Sequence, residues 1–502
     1  MWEPLQRRKA NGVATEARIA DESAPTQGKP ARRTLGDMHA TLERQKLAQL
    51  TDGSPSAAVR IDRLDRAIGL LVDHAAEIAE ALREDFGHRS VQGSLITDVA
   101  ASIEPLKHAK KHVRRWMRRD PRTVSPAALA LLGARAWVDY QPKGVVGLIS
   151  PWNFPFNLTF SPLAGILAAG NRAMIKPSEF TPRSSALMQR MIAGAFDDTE
   201  LTVITGGSDV GEQFSALPFD HLIFTGATSV ARHVMRAAAE HLVPVTLELG
   251  GKSPSIIGND ADLDLAARRL MFGKTLNAGQ VCVAPDYALV PRDRVGAFVD
   301  ALQRAVEGMF PTLRGNPDYT SIVNERHHER LLGYLDDAKA KGATLRVLGH
   351  AGEKFDDRRI APTVVLGVDD TMDVMREEIF GPILPVIPYD GIEVAIAHVN
   401  AHARPLSLYY FGNDRAEQER VLARTVVGGV TINDTVLHLT MDELPFGGIG
   451  PSGMGAYHGV DGFRTFSHAR SVYRQARFDI SAMLRPPYGK MVDRLLSFKI
   501  RR

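Results

Sequence analysis

The chain has 502 residues, 44% of them hydrophobic, with 61 Lys+Arg against 58 Asp+Glu and a single cysteine. That length suits roughly two to three domains with ordinary cores, and the even charge balance leaves no case for a nucleic acid or an anionic membrane as partner. One cysteine cannot close an intramolecular disulfide, so the expected compartment is the cytoplasm.

In chain order, residues 1–35 read as a disordered tail. They mix Glu3, Glu16, Asp21 and Glu22 with basic residues and lack the apolar core of a secretory signal. Ile61, Leu64, Ile68, Leu71, Ile78 and Leu82 share one stripe and predict an amphipathic helix over 60–83. A second helix is predicted over 98–119, with Ile103, Leu106, Val113 and Trp116 inward and a run of Lys and Arg on a solvated face. Pro121 and Pro126 end it. Strands are expected at 134–141 and 145–149. Short apolar runs then alternate with helical patterns: strands at 173–175, 201–204, 221–224 and 245–247, helices at 184–196 and 230–241. Such alternation predicts a parallel α/β sheet. A second α/β run begins near Ser255, with helices at 263–276, 294–309 and 325–341 and strands at 287–290, 364–366, 383–387, 407–411 and 428–432.

The uncharged stretch 144–171 is long enough to span a bilayer, but Pro151, Pro155 and Pro162 with Asn153 and Asn157 argue against a membrane helix. The apolar residues after Phe466 (Met483, Leu484, Leu495, Leu496 and Phe498) are interrupted by Arg485, Lys490, Arg494 and Lys499. That tail is expected to dock on protein, not to cross a membrane. No metal site is expected. His398 and His402 have i, i+4 spacing without the glutamate of a zinc-protease motif, and the adjacent His327 and His328 would face different ways on a helix.

Cys282 is the residue to explain. Gly279 and Gln280 precede it and Pro285 follows, as in a helix that ends in a loop presenting the side chain. A thiolate is a strong nucleophile, yet a lone cysteine is more often a small buried hydrophobe, so residue type does not decide. Five segments do: Pro151-Trp152-Asn153-Phe154-Pro155, Lys176-Pro177-Ser178-Glu179, Leu247-Glu248-Leu249-Gly250-Gly251-Lys252-Ser253-Pro254, Gly279-Gln280-Val281-Cys282 and Glu377-Glu378-Ile379-Phe380-Gly381-Pro382. In this order and spacing, over residues 60–466, the chain resembles the aldehyde dehydrogenase superfamily. Pro155-Phe156-Asn157-Leu158, Thr246-Leu247-Glu248 and Cys282-Val283-Ala284-Pro285-Asp286-Tyr287 resemble its class 3-like branch. The ending Arg485-Pro486-Pro487-Tyr488-Gly489-Lys490-Met491 is similar to that of bacterial coniferyl aldehyde dehydrogenases.

The resemblance implies an α/β fold: a Rossmann-like NAD-binding domain (36–122 and 142–249), an α/β catalytic domain (250–433), a small β oligomerisation extension (123–141 and 434–467) and a C-terminal tail (468–502). It implies Cys282 as nucleophile, the Asn153 amide and the Cys282 N–H as donors to the oxyanion, and Glu248 as the base that activates water against a thioester. No Gly-x-Gly-x-x-Gly follows a strand. The family's NAD contacts fall instead on Trp152, Lys176, Ser178, Glu179, the Phe224-Thr225-Gly226 turn, Leu249, Glu378 and Phe380. A carboxylate at Glu179 suits ribose hydroxyls and disfavours a 2′-phosphate, so NAD is expected ahead of NADP, with NADP possible. The substrate expected is a coniferyl-type, other aromatic or medium-chain aldehyde, and the assembly at least a homodimer. Three alternatives stay open: a semialdehyde dehydrogenase acylating CoA, a cysteine hydrolase pairing Cys282 with a histidine such as His241, and a noncatalytic protein on the same fold.

Overall fold

A computed structural model describes residues 35–125, 127–350, 352–355, 357–477, 479 and 485–500. The disordered tail expected over 1–35 lies almost wholly outside the described residues, as do Met483 and Leu484. The strands in chain order are β1 Asp120–Arg122, β2 Arg135–Pro142, β3 Val145–Ile149, β4 Arg172–Lys176, β5 Leu201–Val203, β6 His221–Thr225, β7 Val245–Glu248 and β8 Pro254–Ile257. They continue with β9 Tyr287–Pro291, β10 Thr344–Val347, β11 Thr363–Leu366, β12 Ile383–Tyr389, β13 Ser407–Phe411, β14 Gly429–Ile432, β15 Gly453–Met454 and β16 Ser467–Arg474.

Three sheets result. A six-stranded sheet runs β15-β7-β6-β3-β4-β5, parallel except for β15. A seven-stranded sheet runs β10-β11-β12-β9-β8-β13-β14, parallel except for β10. A three-stranded antiparallel sheet runs β1-β2-β16. The unbroken apolar runs in β3, β6 and β13 are those of strands covered on both faces. One cover is the helix Asn157–Ala169, buried along nearly its whole length and packed against the helices Ala101–Trp116 and Gly459–Thr465. The stretch long enough to span a bilayer is thus the strand β3, a loop and this core helix. No helix among the described residues is long and apolar enough to cross a membrane.

The helices Leu35–Asp52, Ser208–Ser215, Ile392–Ala401 and Arg415–Arg424 and the strand β10 form where no element was expected, and four expectations are revised. The helix expected over 60–83 is two, Ala57–Asp73 and Ala75–Phe86, divided at His74 (φ −108°, ψ 14°). The apolar stripe resumes from Leu71 to Ile78, seven residues on, so periodicity does not register the break. The helix expected from Asp98 begins earlier, with a wide π-helical turn over Leu95–Ala100 that places Asp98 inward. Strand β16 starts at the last residue assigned to the extension and runs on to Arg474, while β15 joins the edge of the six-stranded sheet beside β7. Finally, of the tail expected to dock on protein, β16 pairs with β2, whereas the helix Lys490–Lys499 has no buried residue.

Candidate active site

The six-stranded sheet reverses direction at β3. From there the chain steps outward to β4 and β5, then returns to lay down β6 and β7 on the other side. Open α/β sheets bind ligands at such a switch point, outside the carboxyl ends of the strands. Trp152 and Asn153 follow β3 there. Lys176 ends β4, ahead of Ser178 and Glu179. Thr225 ends β6 and Glu248 ends β7. The backbone knits these ends together, since Thr225 sits opposite Glu248 and the Gly226 N–H donates to the Glu248 carbonyl at 3.0 Å. Gly226 is needed because a Cβ there would press into the Phe224 ring. The helix Thr228–Ala239 that follows has no side-chain cap, leaving its first N–H groups open toward an anion.

The thiol comes from the other unit. The helix Leu263–Thr275 ends, and Asn277 (φ 47°), Ala278 (φ 52°) and Gly279 (φ 76°) follow in left-handed conformation. Two consecutive non-glycine residues there cost roughly 1–3 kcal/mol each, and the surroundings hold them in place. Gln280, fully buried, donates from Nε2 to the carbonyls of Asn277 (3.0 Å) and Ser321 (3.1 Å), and its Oε1 accepts from the Val323 N–H at 3.0 Å. The Tyr409 hydroxyl donates to the Val283 carbonyl. The loop meets the β3 loop directly: Asn153 Nδ2 donates to the Gln280 carbonyl at 3.1 Å, and Asn277 Nδ2 to the Asn153 carbonyl at 3.1 Å.

A charged set shapes the field around the sulfur. Burial, then the carboxylates of Glu248 and Glu378, push the Cys282 thiol well up, against the Cys282 and Val283 N–H groups that face it. Glu248 is 2% exposed, and neither of its carboxylate oxygens has a hydrogen-bond partner. Burial lifts its pKa well above the carboxylate range, and the Gly448 N–H opposes this only weakly. Glu378 is raised to about 8, by burial first and Asp286 second. Asp286 pairs with Lys252 and accepts the Ile379 N–H at 2.9 Å, which ties the segment bearing Glu378 and Phe380 to the foot of the cysteine loop.

The residues expected at the site are therefore brought together, with two qualifications. The Phe224 and Leu249 side chains are buried in the apolar core beneath the turn. Phe380 has left-handed backbone (φ 52°) and packs edge-on against Trp152 at 5.4 Å, so it is part of the cleft wall. His327 packs at a tilt against the same Trp152 at 5.1 Å. Four residues carry the site without a local sign of it. Arg89 donates to the Asn153 carbonyl at 2.8 Å and pairs with Asp98 at 2.6 Å, whose other oxygen accepts the Phe156 N–H. Gln280 sits in a quoted motif but shows its role only through its partners. Tyr457 is buried, its phenol lifted by burial and then by Glu248 and Cys282. His241 is exposed beyond the far end of the helix Thr228–Ala239, away from the sulfur, so the cysteine hydrolase reading loses that base.

A doubly wound sheet with polar groups at its switch point, facing a thiol beside an unpaired carboxylate, has the architecture of a dinucleotide-dependent oxidoreductase that works through a cysteine. Comparison with known proteins narrows that class to one: the aldehyde dehydrogenase family profile matches residues 18–472, and the chain belongs to that family. It is 58% identical over 470 residues to a probable coniferyl aldehyde dehydrogenase of Caulobacter vibrioides, covering 93% of this chain and 97% of the relative. It is 52% identical to the coniferyl aldehyde dehydrogenase of Pseudomonas sp. strain HR199, covering 91% and 95%. Among solved structures, AldH of Staphylococcus aureus in a substrate-bound state superposes with a TM-score of 0.86 at 36% identity, covering 92% of this chain and 99% of that one. The protein is thus an enzyme that oxidises an aldehyde to the carboxylic acid with NAD(P), by the cysteine mechanism general to the family.

Proposed function

We propose that the substrate is coniferyl aldehyde or a closely related aromatic aldehyde, with Cys282 as nucleophile and Glu248 as the base that releases the acid. The observation that carries the division of labour is the buried, unpartnered Glu248 carboxylate within electrostatic reach of Cys282. Sulfur attack on the carbonyl carbon gives a thiohemiacetal whose oxyanion is met by the Asn153 amide and the Cys282 N–H. Loss of hydride leaves a thioester, and a water deprotonated by Glu248 cleaves it. A base built for water favours hydrolysis over transfer to CoA.

The cleft residues suit a dinucleotide. Glu378 Oε1 is buried without a partner, the Thr228–Ala239 helix end is open, and Lys176 and Glu179 sit 3.8 Å apart where a ribose would lie. Trp152 and Ser178 complete that side, and Phe380 with Glu378 faces the nicotinamide end. When bound, the nicotinamide accepts the hydride. Glu179 favours NAD, although its half-exposed position and Lys176 moderate the repulsion of a 2′-phosphate. The domain division is 36–122 with 142–249, 250–433, and 123–141 with 434–467, in a cytoplasmic homodimer whose partner extends the β1-β2-β16 sheet. Support for the substrate is the 58% and 52% identity to coniferyl aldehyde dehydrogenases. A kcat/KM panel of aliphatic, benzylic and cinnamyl aldehydes with each cofactor tests both points. Cinnamyl aldehydes with NAD should rank first; a higher value for aliphatic aldehydes, or equal values for NAD and NADP, overturns the corresponding half.

A further inference from the structure

We propose that His108, His112 and Glu443 form a site for a divalent metal ion of the zinc type, which clasps the segment ahead of Phe446 to the helix Ala101–Trp116. His108 and His112 stand one turn apart on that helix, on one face. Their facing nitrogens, His108 Nε2 and His112 Nδ1, are 3.1 Å apart, and Glu443 Oε1 lies 3.2 Å from His108 Nε2. The ligand atoms of the three all fall within 4.8 Å of one another. Tetrahedral zinc with nitrogen and oxygen ligands at about 2.0–2.2 Å needs donors at about this mutual spacing, and two imidazoles with a carboxylate leave a fourth position for water. Trp116 packs against both rings, at 5.7 and 5.9 Å, and limits their rotation.

The surrounding charge is balanced. Glu104, Lys111 and Arg115 lie on the helix and Asp442 beside Glu443, two charges of each sign, so Glu443 itself supplies the attraction. Glu443 also has a place in the larger structure. It precedes Pro445-Phe446-Gly447-Gly448, and the Gly448 N–H faces Glu248. An ion here fastens the segment that walls the catalytic pocket without touching the reacting atoms. The expectation of no metal weighed His398 and His402, which share the spacing. Those rings pack at a tilt 4.5 Å apart, and His402 spends Nδ1 on the His398 carbonyl.

The test uses the full-length chain, free of any affinity tag, carrying Cys282→Ser so that the thiol cannot bind the ion. After stripping with chelator, it is dialysed against Zn²⁺ and metal per chain is counted. Co²⁺ absorption then reports the ligand type. One ion per chain is expected, with a cobalt spectrum lacking thiolate bands and a rise in Tm on loading. Adding His112→Ala or Glu443→Gln should each weaken binding by at least about 10-fold, since even outer-shell partners cost about 10–100-fold, and should remove the Tm shift. Glu443 is largely exposed, so the glutamine variant tests the site without threatening the fold. Absence of stoichiometric binding, or equal affinity in both variants and the parent, reduces the cluster to a hydrogen-bonded histidine pair with an ion pair and overturns the proposal.

Discussion

At the level of single residues, the proposed chemistry turns on two groups whose acidity folding weakens: burial raises both the Cys282 thiol and the Glu248 carboxyl above their ordinary values. In Glu248→Gln, hydride transfer from a thiohemiacetal remains possible but nothing accepts the proton from water. The variant should show an NADH burst near one per site, then turnover slowed about 10²–10⁴-fold, with acyl-enzyme visible by mass spectrometry; unchanged steady-state turnover would move the role to another carboxylate. Stability supplies an independent readout. The folded pKa of Glu248 is raised, so its contribution is complete below the ordinary value of 4.5 and is lost as pH rises through the folded value. Glutamine does not titrate. The stability gain of Glu248→Gln over wild type should therefore grow above pH 4.5, by up to about 1.4 kcal/mol per pH unit, and a gain independent of pH would show that the carboxyl is not held neutral.

Among the elements, the wide turn Leu95–Ala100 acts as a fixture for the β3 loop. It presents Asp98, 0% exposed, to Arg89, and the pair reaches both the Asn153 carbonyl and the Phe156 N–H. Arg89 and Asp98 are positioning residues, since neither contacts the sulfur. Asp98→Asn leaves Arg89 as an uncompensated buried charge, a loss of about 3–5 kcal/mol of stability. The double variant Arg89→Met/Asp98→Leu removes the charge altogether and should recover most of the Tm. If the pair positions Asn153, the burst rate in the double variant should still fall by about 10²-fold, with NAD affinity retained. Recovery of rate along with Tm would make the pair purely structural.

For the molecule as a whole, the three-stranded β1-β2-β16 sheet is the feature that a lone chain leaves incomplete. Strand β16 pairs only with β2, its side chains are mostly exposed, and its far edge has no partner strand among the described residues. Such an edge is a site for strand addition by a second copy. Light scattering after gel filtration, without detergent, should give at least twice the 54.9 kDa chain mass at micromolar concentration. A monomer under those conditions would leave the extension without its proposed role.

Sequence by itself determined the α/β class, the two runs of alternating elements and the family, and with the family the proposed nucleophile. Apolar periodicity reports burial within a few residues, and a single cysteine leaves no competitor. The motifs around Asn153, Glu248 and Glu378 also pointed to three residues that the fold brings up to the cysteine loop. Tertiary structure decided the rest. The two-helix break at His74 is hidden by a stripe that resumes in phase. The place of β15 beside Glu248 and of β16 beside β2 depends on how the chain's end returns to its beginning. Arg89, Asp98 and Glu443 look like ordinary charged surface residues until their partners, most of them distant in the chain, come within hydrogen-bonding distance. The unpaired state of Glu248 is likewise a property of what surrounds it. A carboxylate's type is written in the chain, but its pKa is set by the water that folding removes.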